Sequence, residues 1–206
     1  LKISSLSNLK FIYDINLDSN RIVDLDFNWQ LDIESILRIL AMSNNRLENI
    51  KQNYFKNLFA LTSLNLSFNK IGSIHPRAFF DLRNLVSLDL SHNCIYMLNR
   101  FIFNEMQNLI SLDLSFNLLR SVEFLNNFHR HSFFSNLNLA NNYIENFVIH
   151  NQLLPRVSKL DLSTNNLKHF FFNSTRISHL NLNQNMLLKN LSKLIYNDYF
   201  KGLYIR

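Results

Sequence analysis

Apolar and polar positions recur along this chain in one fixed frame. Residues 85–95 show it cleanly: Leu85-Val86-Ser87-Leu88-Asp89-Leu90-Ser91-His92-Asn93-Cys94-Ile95. An apolar residue is followed by two others, Leu, one, Leu, two, Asn, one, and a second apolar residue. The frame returns around Asn20, Asn45, Asn69, Asn93, Asn117, Asn142, Asn165 and Asn185, at steps of 25, 24, 24, 24, 25, 23 and 20 residues. A period of this length means stacked units of a solenoid. Within each unit the Leu-x-Leu run alternates as a strand does, so Leu88 and Leu90 point one way and Asp89 the other. Such a run is too short to stand alone, but stacked on its copies it becomes one rung of a parallel sheet. The pattern predicts rungs at 15–17, 40–42, 64–66, 88–90, 112–114, 137–139, 160–162 and 180–182.

The recurrent Asn falls where the chain must turn away from the rung. Its amide carries donors and an acceptor, so it is expected to bond backbone groups of its own turn and the next. Buried turn backbone has to be paired. Losing one such Asn should therefore cost roughly 1–3 kcal/mol. The second half of each unit is patterned too. Apolar residues stand two and five places after the Asn, as in Ile71 and Ile74, Ile95 and Leu98, or Ile144 and Phe147. Ten places after it, three central units carry Phe55, Phe79 and Phe103, followed by Leu58, Leu82 and Met106. An aromatic stripe at repeat spacing is core, filling the wedge that curvature opens on the convex side.

These units resemble the typical leucine-rich repeat of animal extracellular proteins. Residues 61–85, LTSLNLSFNKIGSIHPRAFFDLRNL, carry the resemblance most fully. The same repeats build Toll and Toll-like receptor ectodomains, chaoptin-like adhesion proteins and slit-like ligands. The glycine-proline signature of plant repeats does not recur: Gly72 and Pro76 occur once, in one unit. The longer helical repeats of cytosolic inhibitor-type proteins do not match the period either. The resemblance implies an α/β-type solenoid, a horseshoe with a parallel concave sheet and mostly irregular convex segments. It says much about the fold and little about function.

Length and composition bound the rest. The 206 residues make about eight repeats in a single solenoid spanning 1–206, with partial repeats at both ends. Leu6 and Leu9 match interior positions of a preceding unit, and Phe200, Leu203 and Ile205 those of a following one. Solenoids need capping units, so a fragment of a longer protein is expected. Cys94 is the one cysteine, which precludes an internal disulfide and leaves an ordinary half-exposed thiol. Net charge is +6, unevenly placed: residues 1–36 carry three basic and six acidic residues, and residues from 150 onward eight and two. The basic flank, with Lys159, Arg176 and His179, is a rival site for a polyanion such as a glycosaminoglycan, acidic lipid or nucleic acid, although no tight cluster occurs. Glycosylation triplets begin at Asn65, Asn173 and Asn190. The first arises from the repeat itself; Asn173 and Asn190 are the better acceptors in a secreted protein.

Two columns face the hollow of the horseshoe. One runs Asn16, Ala41, Asn65, Asp89, Asp113, Asn138, Asp161, Asn181; the other Ser19, Asn44, Phe68, His92, Phe116, Asn141, Thr164, Gln184. Phe68, His92 and Phe116 in a row, beside Asp89 and Asp113, form the most ligand-like patch, since exposed aromatics are what a protein partner buries. Asp14, Asn16 and Asp18 offer oxygens, but no loop of six ligands for Ca²⁺. His129 and His131 lack a third metal ligand of suitable spacing. No phosphate loop, nucleophile motif or paired acids in a cleft suggest catalysis, and no cofactor is expected.

The leading expectation is a non-catalytic interaction scaffold within an extracellular or cell-surface receptor, with a protein ligand or receptor partner. A structural adhesion or matrix protein, packing against a second copy as a homodimer, is the first alternative. A cytosolic adaptor or enzyme regulator is the second. Membrane association would run only through parts outside this chain.

Overall fold

The computed structural model describes residues 11–25, 36–127, 133–149, 156–172, 177–185 and 203–204. In chain order its strands are β1 (Asp14–Asn16), β2 (Ile39–Ala41), β3 (Asn49–Ile50), β4 (Ser63–Asn65), β5 (Ser73–Ile74), β6 (Ser87–Asp89), β7 (Ser111–Asp113), β8 (Phe133–Asn138), β9 (Asn146–Ile149), β10 (Arg156–Asp161), β11 (His169–Phe172), β12 (His179–Asn181) and β13 (Leu203–Tyr204). Nine of them form one sheet in the order β1-β2-β4-β6-β7-β8-β10-β12-β13. The pairs along it are parallel, and the strand leucines stay in register: Leu40 opposite Leu64, Leu64 opposite Leu88, Leu88 opposite Leu112, Leu112 opposite Leu137. Two small parallel pairs, β3 with β5 and β9 with β11, lie on the returning segments. The fold is the expected solenoid.

The strands of the regular units begin one residue earlier than the leucine pattern predicts. The polar residue before the first leucine is already paired: the Ser63 N–H donates to the Arg38 carbonyl at 3.0 Å. The second leucine already lies past the strand, where the turn begins. β8 and β10 extend further back, each to six residues, with buried Phe134 and Val157 added to the core.

The asparagine ladder is present, with one correction to its direction. The Asn93 Oδ1 accepts from the Ile71 N–H at 2.9 Å, and its Nδ2 donates to the carbonyls of Leu66, Leu90 and Ser91 at 3.0, 3.0 and 3.1 Å. The neighbour it serves is therefore the preceding turn, not the next. Asn45, Asn69, Asn117, Asn142, Asn165 and Asn185 repeat the arrangement. A second, shorter ladder runs on the opposite edge, where Asn84 donates to the Phe59 carbonyl and Asn108 to that of Arg83.

Opposite the sheet, Phe55, Phe79 and Phe103 are buried and stack face to face. Their centroids are 5.8 Å apart for the first pair and 6.4 Å for the second, at interplanar angles of 22° and 5°. Parallel strands sit about 4.8 Å apart. The wider spacing on the phenylalanine side bends the stack with the sheet innermost. A 3-10 helix, Glu123–Asn127, brings Phe124 edge-on to Phe103 at 5.8 Å and continues the column in a unit where the sequence spacing hid it. Phe147 and Phe170 stack at 5.5 Å further along. Leu6, Leu9, Phe200 and Ile205 lie outside the described residues; the Leu203 of β13 pairs in register with Leu180.

Ion pairs on the returning segments join adjacent units. Lys51 Nζ lies 2.6 Å from Asp24, whose other oxygen accepts from the Tyr54 hydroxyl, and Lys168 lies 2.7 Å from Glu145. Desolvation pushes the Asp24 carboxyl up, but the hydrogen bonds from Lys51 and Tyr54 and the Lys51 charge outweigh it and hold the group below its ordinary range. The hydrogen bond from Lys168 and its charge do the same for Glu145. A carboxyl whose folded pKa is depressed stabilises the fold above its unfolded pKa and loses that contribution as pH falls through the folded one. Urea unfolding of Asp24→Asn should therefore trail the parent chain at neutral pH and converge with it below the ordinary carboxylate range. A gap that persists unchanged in acid would contradict the assignment.

Candidate functional site

The inner sheet face is built from side-chain columns that run across the rungs. The leucines of each rung point into the core, which leaves the alternate positions outside. Asn65, Asp89 and Asp113 occupy the middle of the face, one per rung. Each first serves its own turn. The Oδ1 of Asn65 accepts from the Ser67 N–H and hydroxyl at 2.9 and 2.7 Å, and the Oδ1 of Asp113 from those of Ser115 at 2.8 and 2.6 Å. Asp89 accepts from the Ser91 N–H at 2.9 Å. This turn closes the end of each strand, and its trace is legible in the recurring Asp/Asn-Leu-Ser triplets. It also accounts for the triplet at Asn65, whose Ser67 is buried.

The second carboxylate oxygens differ. The Asp113 Oδ2 accepts from the Asn138 amide at 2.9 Å, and the Asp161 Oδ2 from Asn181 at 2.9 Å. Asp89 is followed in register by Asp113, not by an amide. Among the described residues nothing donates to its Oδ2.

Two residues beyond each rung's second leucine the chain takes a left-handed turn. Ser19, Asn44, Phe68, His92, Phe116, Asn141, Thr164 and Gln184 all have φ between 52° and 58°. Nothing in the hydrophobic pattern announces this. The conformation costs a residue with a Cβ roughly 1–2 kcal/mol, and Asn tolerates it best. Polar members of the column link to their neighbours by hydrogen bonds: Asn44 to Ser19 at 3.1 Å and Thr164 to Gln184 at 2.8 Å. The three aromatic members stack instead. Phe68 lies 4.0 Å from His92 and His92 4.1 Å from Phe116, at interplanar angles of 11° and 10°. The outer rings remain 54% and 47% exposed. The structure thus brings Phe68, His92 and Phe116 into one continuous stack on one lip of the face, beside Asp89 and Asp113.

On the other lip lies a shallow groove of about 650 Å³, lined in part by Arg38, Thr62, Val86, Ile110 and Phe133. Ile110 and Phe133 are exposed there. The sequence reading missed this lip, because its residues fall on the variable positions of the frame.

Of the basic flank, Lys159 and His179 are exposed and stand opposite each other on β10 and β12. Arg176 lies outside the described residues, as do Asn173, Asn190, His129 and His131. Cys94 is exposed on the returning segment. No group of three or more metal-ligating side chains occurs among the described residues. No helix among them is long and apolar enough to cross a membrane.

Comparison with known proteins agrees with this geometry. A leucine-rich repeat family model matches residues 35–95. No curated protein sequence matches the chain. Among solved structures, the leucine-rich repeat domain of APL1B is similar with a TM-score of 0.70 and 22% identity, over 87% of this chain and 52% of that one. The Toll–Spatzle complex from Drosophila gives 0.68 and 21%, over 87% and 26%. The functional domain of InlJ from Listeria monocytogenes gives 0.61 and 19%, over 98% and 45%. The chain thus spans between about a quarter and about half of these structures. The fold is a leucine-rich repeat solenoid, of a kind found in protein-interaction domains, and no catalytic family is indicated.

Proposed function

We propose that this chain is the recognition segment of a cell-surface or secreted receptor of the typical animal repeat class, and that it acts without catalysis. Its protein partner docks over Phe68, Asp89, His92, Asp113 and Phe116. The observation that carries this reading is the aromatic stack. Three rings in successive repeats stack on one another and hold two of their members half-exposed on a rigid face. Buried aromatic anchors supply much of an interface's energy, often at least ~2 kcal/mol each. One of the similar structures is itself a complex, of Toll with Spatzle.

The test is a double substitution, Phe68→Ser with Phe116→Ser. Ser19 adopts the same left-handed conformation in the same column, so the fold should be kept. Against a protein partner recovered from a panel of secreted and surface proteins, affinity should fall at least about tenfold, or about 1.4 kcal/mol. Undiminished binding by a folded double variant would remove the site. A second reading, a polyanion site, is favoured by the exposed Lys159 and His179 standing in register. Heparin retention that collapses as salt rises would support it, whereas binding through the rings should hardly change.

A further inference from the structure

The inner face places two carboxylates side by side with no basic partner among the described residues. Asp89 and Asp113 stand opposite each other on adjacent parallel strands, β6 and β7, about 4.8 Å apart. Like charges placed so are mutually destabilising. Along the same column two later junctions are bridged by an amide: Asn138 donates to Asp113 and Asn181 to Asp161. Only Asp89 faces a second carboxylate in the next rung. The ion pairs among the described residues, Lys51–Asp24, Arg83–Glu105 and Lys168–Glu145, involve neither acid. On one side of the pair lies the Phe68–His92–Phe116 stack, and on the other the groove at Val86, Ile110 and Phe133. Across its middle units the face therefore runs from aromatic to anionic to a mixed groove in which Val86, Ile110 and Phe133 offer apolar surface beside Arg38 and Thr62.

We propose that the occupant of this face is a protein segment presenting one arginine between apolar side chains. The proposal rests on the protein-docking reading above and adds the chemistry of the partner. A guanidinium is planar, permanently charged and weakly hydrated, and can fork toward the Asp89 Oδ2 and the Asp113 carboxylate. Its faces also favour aromatic neighbours, and the rings lie beside the carboxylates. The apolar residue on one flank would cover the rings, and that on the other would fill the groove. Complementary charge of this kind fixes register and rejects wrong partners.

Selection from a displayed library of random peptides on the whole chain tests this. The chain carries a net charge of +6, so non-specific attraction favours acidic peptides; enrichment of arginine runs against that field. Asp89→Asn isolates the charge, because Asn65 and Asn138 make the same turn in the same column and nothing among the described residues donates to the Asp89 Oδ2; Asp89→Asn with Asp113→Asn removes both charges but also the acceptor of the Asn138 amide. The expected result is selection of arginine flanked by aliphatic or aromatic residues. A synthetic peptide of that sequence should bind about tenfold more weakly to the Asn variant. If the double variant unfolds by circular dichroism, Asp89→Asn alone carries the comparison. Peptides without basic residues, or equal binding to the Asn variant, would overturn the proposal. If Phe68→Ser with Phe116→Ser abolishes binding while the Asn variant does not, the arginine inference falls and the aromatic site stands. If no peptide is enriched on the unaltered chain, both fall.

Discussion

Phe79→Ala should destabilise the protein by roughly 3–5 kcal/mol, the range for truncating a buried aromatic. Phe79 is 1% exposed and lies between the rings of Phe55 and Phe103. Truncation removes its transfer energy, leaves a cavity, and breaks two stacks worth ~0.5–1.5 kcal/mol each. Repeat units contact only their neighbours. A break in the middle of the column therefore uncouples the units on either side, and urea unfolding should broaden as well as shift. Phe80→Ala is the control. That neighbouring ring is 45% exposed, with Arg83 lying over it at 5.7 Å, and its loss should stay within about 0.5 kcal/mol. A shift below ~1 kcal/mol for Phe79→Ala would mean that the column is not the core of the convex side.

Asn93→Asp should be as damaging, by roughly 3–5 kcal/mol at neutral pH, the cost of an uncompensated buried charge. Asn93→Ala should cost less, about 1–3 kcal/mol. Without the Asn93 amide, the carbonyls of Leu66, Leu90 and Ser91 keep Asn69, Asn117 and the Phe68 N–H as partners. Among the described residues only the Ile71 N–H is left bare. A carboxylate restores that acceptor but turns its second oxygen toward three carbonyls. Burial and those carbonyls both favour its protonated form, so its folded pKa rises above the unfolded value. The folded state then binds the extra proton. The variant should regain stability as pH falls toward the carboxylate range and lose it as pH rises. Equal stability of the Asp and Ala variants across pH would show that the amide's donors carry little.

Much of this architecture was written in the period. The strand leucines, the Asn column and Phe55, Phe79 and Phe103 could all be placed because each must meet its own copy one unit away. Where a contact breaks the period, the sequence was silent. Phe124 reaches the phenylalanine column through a 3-10 turn of different length, and Asn84 and Asn108 form a ladder too short to look like one. The site was half legible. Phe68, His92 and Phe116 could be picked out as aromatics on one face. Their left-handed backbone could not, since side-chain type does not encode φ when stacking offsets the cost. Nor could the relation between Asp89 and Asp113, because which carboxylate receives an amide depends on what the next rung contributes.

The direction of the asparagine ladder sets rules for module exchange. Each amide completes the turn before its own, so a repeat is finished only by its carboxyl-side neighbour. Removing repeats from the amino side leaves every retained turn finished, and the first retained Asn still serves the carbonyls of its own turn. Removing them from the carboxyl side leaves the last retained turn without the amide that closed it. A chimera joined at any seam should thus depend on what the incoming downstream repeat carries at its Asn position. The upstream parent brings the N–H and carbonyl to be bonded, but its own Asn already serves its own turn and the one before and cannot supply the missing acceptor.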